Sequence, residues 1–205
     1  MRRRCLLLGC AVATLLAASG GSAAEIATDS PAATIASLQQ GLVAVVRDKS
    51  AATIAERYAD LEPLILATHD LPYIAEFALR RQWAALTEDE RQRFSAAFER
   101  LSVMTYAARF RNVAPDAFRP VEAGVPDGNA RVRVTTAIKR EGQADVSFEY
   151  LLQEEAQGWR IINIVADGVS DLAPKRAEYQ RVFASGGIGG LIAELEQQTQ
   201  RLERD

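Results

Sequence analysis

The stretch 158–195, GWRIINIVADGVSDLAPKRAEYQRVFASGGIGGLIAEL, decides how this chain folds. Trp159 to Ala166 reads as a β-strand that ends in a tight Asp167-Gly168 turn. Ile161, Ile162, Ile164 and Val165 make it apolar on both faces, so it must be central or covered. A helix follows, then the glycines Gly186, Gly187, Gly189 and Gly190, then a last amphipathic helix. Ser170 stands between strand and helix, but Asp-Gly-Val-Ser lacks the Gly-x-Ser-x-Gly of a nucleophile elbow, so it is expected as an N-cap. The glycine cluster lacks the Lys-Ser/Thr of a phosphate loop and follows a helix rather than a strand. It is expected as a helix–turn–helix with tight backbone approach.

Upstream of this stretch the period is close to 2 from Phe118 onward. Val132, Val134, Thr136 and Ile138 alternate with Arg131, Arg133 and Thr135. Val146, Phe148, Tyr150 and Leu152 alternate with Ser147, Glu149 and Leu151. Asp127-Gly128-Asn129 and Arg140-Glu141-Gly142-Gln143 are the turns between them. Earlier still the period is helical. Ser30-Pro31 opens a helix with Ile35, Leu38, Leu42, Val45 and Val46 on one stripe, a second runs through Ile54 and Tyr58, and Pro63 starts a short third. Asp70 caps a helix with Pro72 in its first turn and Ile74, Phe77 and Ala78 facing inward, Trp83 lying near its end. Thr87-Glu88-Asp89-Glu90 is a capping box opening the longest helix, which runs to about Phe110 with Phe94, Phe98, Leu101, Met104 and Thr105 on one face. Helices, then four strands, then helices predict a single α+β domain: a four-stranded antiparallel sheet with helices packed on one face. The helix layer either closes on the sheet or leaves a gap, and composition does not choose between the two.

Residues 1–24, MRRRCLLLGCAVATLLAASGGSAA, read as a secretory signal peptide: Arg2 to Arg4, an apolar run, and Ser22-Ala23-Ala24 for cleavage. The mature domain is then 25–205, with a periplasmic location. Both cysteines, Cys5 and Cys10, fall in the removed part, leaving no disulfide, thiol chemistry or zinc–thiolate site. The chain carries a net charge of −3, and losing three arginines takes it to −6. That balance argues against nucleic acid. His69 is the sole histidine, beside a capping Asp70, and reads as structural or incidental rather than as a metal ligand or acid–base relay. The Glu88 to Glu90 run sits where a helix N-terminus favours negative charge. No motif calls for a cofactor, and no catalytic or metal constellation is present.

The chain resembles the MlaC, or toluene-tolerance, family of periplasmic phospholipid-binding proteins. The resemblance covers most of the mature chain. It is carried by Asp70-Leu71-Pro72-Tyr73 with Arg81-Gln82-Trp83, by Thr87 through Phe98 with Thr105-Tyr106 and Arg109-Phe110, and by Gly158-Trp159-Arg160, Asp167-Gly168-Val169-Ser170 and Gly186-Gly187-Ile188 with Gly190-Leu191. Ile162-Asn163 departs from the aromatic-aspartate pair common in the family, and Asp171 through Arg176 also differs. The resemblance implies an apolar cavity between helices and sheet that takes acyl chains, and a soluble carrier that is not an enzyme. It implies shuttling of phospholipid between membranes, with an inner-membrane ABC transporter's substrate-binding subunit and an outer-membrane lipoprotein complex as partners. Some similar chains belong to a hopanoid-biosynthesis branch, which makes a sterol-like lipid the alternative cargo. A small isomerase or hydratase on the same scaffold would need a buried acid, for which Asp145 and Glu149 are the strand candidates. By face, the cavity lining is expected from Ile74, Phe77, Phe94, Phe98, Leu101, Val132, Val134, Phe148, Tyr150, Ile162 and Ile164. Arg80, Arg81 and Arg109 are candidates for head groups or partner proteins.

Overall fold

The computed structural model describes residues 26–48, 52–122 and 124–204. The expected signal peptide, 1–24, lies outside them. Among the described residues five α-helices pack with one sheet: α1 (Pro31–Asp48), α2 (Ile54–Thr68), α3 (Leu71–Leu79), α4 (Glu88–Arg109) and α5 (Leu172–Arg204). Each start has a local cause. The Ser30 hydroxyl accepts from the Ala33 N–H ahead of α1, Thr53 and Glu56 form a capping box on α2, Asp70 accepts from the Tyr73 N–H on α3, and Thr87 and Glu90 box α4. Pro63 does not open a helix of its own; it lies inside α2, where Leu61, Leu64 and Ile65 are buried around it. Tertiary burial there outweighs one missing hydrogen bond. Trp83 leaves α3 altogether. The helix ends at Arg80 with φ 48°, and Trp83 sits in a separate 3-10 turn, edge-on to Phe94.

The sheet is an antiparallel meander in chain order, β1 (Val125–Pro126), β2 (Arg131–Ile138), β3 (Val146–Glu155), β4 (Gly158–Ala166) and β5 (Val169–Ser170). It therefore has five strands rather than four. The expected first strand shrinks to two ladder residues because Pro120 and Pro126 cannot donate to a ladder. The chain still follows β2, through Arg119 N–H to the Ala137 carbonyl at 2.8 Å and Glu122 N–H to the Thr135 carbonyl at 3.1 Å. The added fifth strand comes from the Asp167-Gly168 turn, both residues at positive φ (49° and 79°) as a tight hairpin requires. Ser170 is consequently a strand residue rather than a helix cap; its hydroxyl donates to Asn163 Oδ1 at 3.1 Å.

Register explains why β4 is apolar on both faces. Tyr150 pairs with Ile164 and Leu151 with Asn163, but Leu152 pairs with Ile161, so Ile162 is one residue too many. This bulge lets Ile161 and Ile162 both be buried in succession. The core lies between that face and the helices, with Ile35, Leu38, Ile65, Phe94, Val134, Leu152 and Leu195 among its most buried members.

The chain reverses within α5. Gly187, at φ 61° and ψ −164°, breaks it into two helical segments, and the second returns antiparallel beside the first, where Gln198 donates to Glu178 at 2.9 Å. The turn at the glycines is as expected, but the tight approach is not: a Cβ on Gly186, Gly187, Gly189 or Gly190 would meet nothing within 4 Å. These glycines serve backbone conformation, not packing.

Candidate functional site

A cleft of about 250 Å³ opens between α4 and the β3–β4 half of the sheet. Phe148 and Tyr150 come from β3, and Ile162, Asn163, Ile164 and Ala166 from β4. Phe98, Ser102, Thr105 and Arg109 line it from one stripe of α4, with Tyr106 and Phe110 alongside. Leu71 and Ile74 of α3 and Leu172 of α5 close the sides. A groove of about 470 Å³ along α4 and α5 is larger, but Arg93, Arg100, Glu196 and Glu203 make it a charged surface feature. The smaller cleft is the one walled by hydrocarbon, and so the one suited to an apolar ligand.

Its two ends differ. At the inner end His69 is 3% exposed, held at the strand by an isolated bridge to Ile161. Its Nε2 lies 2.8 Å from the Tyr106 hydroxyl, and its Nδ1 lies 3.2 Å from the Ile65 carbonyl and 3.0 Å from the Thr68 hydroxyl. Burial lowers the His69 pKa to about 4, and the Ile65 carbonyl only partly opposes this. Burial likewise pushes the phenols of Tyr106 and Tyr150 up. All three are therefore neutral at ordinary pH. At the outer end Arg109 is exposed, and Lys175 pairs with Asp171. Ser102 and Thr105 donate their hydroxyls back to the Phe98 and Leu101 carbonyls, each at 2.7 Å, so both turn a largely apolar side to the cleft.

Helices over one face of an antiparallel sheet, with a hydrocarbon cleft between, form a pattern that has relatives. The sequence profile of the family described as MlaC protein matches residues 36–197. The chain belongs to the MlaC family. MlaC proteins are non-enzymatic, phospholipid-binding proteins of lipid transport. No curated protein matches the chain in sequence. Among solved structures it is similar to the phospholipid-binding protein from Ralstonia solanacearum, which was determined in complex with a phospholipid. The TM-score is 0.72 at 20% identity, over 83% of this chain and 97% of that one. At that identity the likeness is one of fold.

Within this MlaC fold the residues chosen by face divide. Ile74, Phe98, Phe148, Tyr150, Ile162 and Ile164 meet at the cleft. Phe94 and Val134 do not reach it; both are 0% exposed in the packed core. Val132 packs against that core and does not line the cleft. Leu101 and Tyr179 line an adjoining groove, which shares Phe98, Ser102, Thr105 and Arg109 with the cleft. Phe77 stands in a small side groove, stacked on Tyr73, with the Arg80 and Arg176 guanidiniums over its ring at 4.8 and 5.2 Å. Of the candidate arginines, Arg109 lies at the cleft and Arg80 at that side groove.

The cleft stripe of α4 is 98, 102, 105 and 109, one step around from the 94, 98, 101 face that carries the most grease. Thr105 lies on the expected apolar face, but Ser102 and Arg109 disguise the rest of the stripe as a wet one. His69 is structural, one of the two bland readings its sequence position allows, and helps form the inner wall; its burial there has no sequence signature of its own. The strand acids are turned outward, Asp145 to Arg119 at 2.7 Å and Glu149 to Arg133 at 3.4 Å. Among the described residues no group of three or more His, Cys, Asp or Glu could hold a metal ion, and no helix is long and apolar enough to cross a membrane.

Proposed function

We propose that this chain is a periplasmic lipid carrier, exported by a signal peptide at residues 1–24 and acting through the domain 25–205. It takes phospholipid acyl chains into the α4–sheet cleft, with Phe98, Phe148, Ile162 and Ile164 against the chains and the head group outside near Arg109. It hands lipid between the substrate-binding subunit of an inner-membrane ABC transporter and an outer-membrane lipoprotein complex. The observation that carries this reading is the hydrocarbon-walled cleft within a fold shared with a structure that holds a phospholipid.

The energetics suit a carrier. Two chains of about sixteen carbons represent roughly 25 kcal/mol of apolar transfer at about 0.8 kcal/mol per methylene, so they do not cross water bare. A bilayer is as apolar as the cleft, which brings the net exchange close to zero and leaves a kinetic barrier as the thing to lower. At about 250 Å³ the cleft lies below the usual pocket range of about 300–1,000 Å³. A diacyl lipid must therefore widen it, by moving α3, α4 or the start of α5 away from the sheet.

Native mass spectrometry of protein purified from its periplasm, followed by solvent extraction and lipid identification, tests the reading. Bound phospholipid, released on extraction and taken up again from vesicles, is the expected result. A protein that arrives lipid-free, takes up none, and melts at the same temperature before and after extraction would sink it.

A further inference from the structure

The inner end of the cleft holds a hydroxyl that the protein does not use. Tyr150 is 5% exposed and lines the cleft; its ring stacks on Phe148 with centroids 6.1 Å apart. No described residue hydrogen-bonds its phenol oxygen, whereas the Ser102 and Thr105 hydroxyls beside it are committed to backbone carbonyls. The oxygen is open to the cleft rather than sealed in the core, so it is free to bond a ligand there. The sheet has no need of it either, since Phe148, two residues back on the same face, does the same packing without oxygen.

Its neighbour Tyr106 is polarised by a chain of bonds. Thr68 gives its own proton to the Leu64 carbonyl at 2.8 Å. The Ile65 carbonyl beside His69 Nδ1 can only accept, which makes Nδ1 the protonated nitrogen and Nε2 an acceptor. The Tyr106 hydroxyl then donates to Nε2 across 2.8 Å, and its oxygen shows the cleft lone pairs only. Both phenols line the same cleft, and burial, with Tyr150 a lesser contributor, raises the pKa of Tyr106. One oxygen thus accepts, and the other has a rotatable O–H. A group that donates once and accepts once satisfies both, and an alcohol is the simplest such group a lipid carries within its hydrocarbon. A carbonyl meets half of this and a methylene none.

We propose that Tyr150 and Tyr106 form a hydroxyl-reading subsite, so that the preferred lipid carries an alcohol on the part buried in the cleft. This rests on the lipid-carrier reading and narrows its ligand class. The alcohol has two chemical sources, a hydroxylated acyl chain or a polycyclic, sterol-like ring.

Competition against a bound fluorescent fatty acid separates them. The probes are stearate against its 3-, 10- and 12-hydroxy forms, and cholestane against cholestanol, each on the full mature protein and on Tyr150→Phe. The wild type is expected to prefer at least one alcohol over its parent by about tenfold, one net hydrogen bond's worth. The series showing the preference names the source. In Tyr150→Phe, which loses a single oxygen, the preference is expected to vanish, read as the ratio of alcohol to parent affinity within the variant itself, while its melting temperature reports that it folds. Equal binding of every matched pair by the wild type, with the parents bound, overturns the subsite and leaves the carrier standing. So does a preference that survives Tyr150→Phe. Failure of the wild type to bind the fluorescent acid or any probe overturns both.

Discussion

Two ends of one sheet are covered differently. At the β2 end, α1 lies directly on the strand: Ile35, Leu38 and Leu42 are almost fully buried with Val134. Even the polar members there are satisfied, with Gln39 donating to Thr136 at 3.1 Å and Thr136 to the Arg119 carbonyl at 2.8 Å. At the β3–β4 end the strands are just as oily, yet a cleft of about 250 Å³ remains. The difference lies in the opposing helix. Where α1 offers isoleucine and leucine, α4 offers Ser102 and Thr105, short side chains whose hydroxyls are returned to their own backbone. The cavity is made by what the helix withholds, not by any lack of hydrocarbon in the sheet.

The contrast can be broken first at the filled end. Leu38→Ala is expected to cost about 2–5 kcal/mol in urea unfolding, the transfer and cavity terms together, while lipid content per folded molecule is unchanged. Next comes pH. The folded pKa of His69 is about 4 against an ordinary 6.5, so the unfolded chain takes up the proton first. Its contribution is complete above pH about 6.5 and is lost as pH falls toward 4, by about 3 kcal/mol. His69→Gln should lack that portion of the acid dependence, which a comparison of unfolding free energies at pH 7 and pH 4 reads directly. Gly187→Ala meets no neighbour and so isolates backbone strain; a loss of about 1–3 kcal/mol is expected for a non-glycine in that region of conformational space. The smallest change in stability is expected at the open end. Ile164→Trp should shift the melting temperature little, because space is available, but should abolish co-purified lipid as judged by mass spectrometry. A tryptophan there that leaves lipid content intact would show that the two ends are alike after all.

Much of this was legible in the sequence. Thr87 and Glu90, Asp70 and Pro72, and the alternation from Val132 to Leu152 each specify an element by local chemistry, and they hold. Misreadings arise where tertiary structure overrides a local rule. Pro63 breaks no helix because Leu61 and Ile65 are buried beside it. Ser170 caps no helix because the Asp167-Gly168 hairpin recruits it into β5. At the cleft, six of the residues selected by apolar face come together, but Phe94 and Val134 are too deep, since the greasiest stripe of a helix faces the packed core rather than a ligand. Tyr106, His69 and the 98, 102, 105, 109 stripe escape a hydropathy reading because a cavity wall is only half greasy.

The spare residue at Ile162 has a consequence for how the chain tolerates shortening. Elsewhere in this meander, removing one amino acid would turn every later side chain of its strand inside out. Here the pairs on both sides of the bulge already match an uninterrupted ladder, Leu152 with Ile161 and Leu151 with Asn163. Excising Ile162 should therefore heal β4 without inverting it, straighten the local twist, and take away one wall residue of the cleft while the hairpin into α5 keeps its direction.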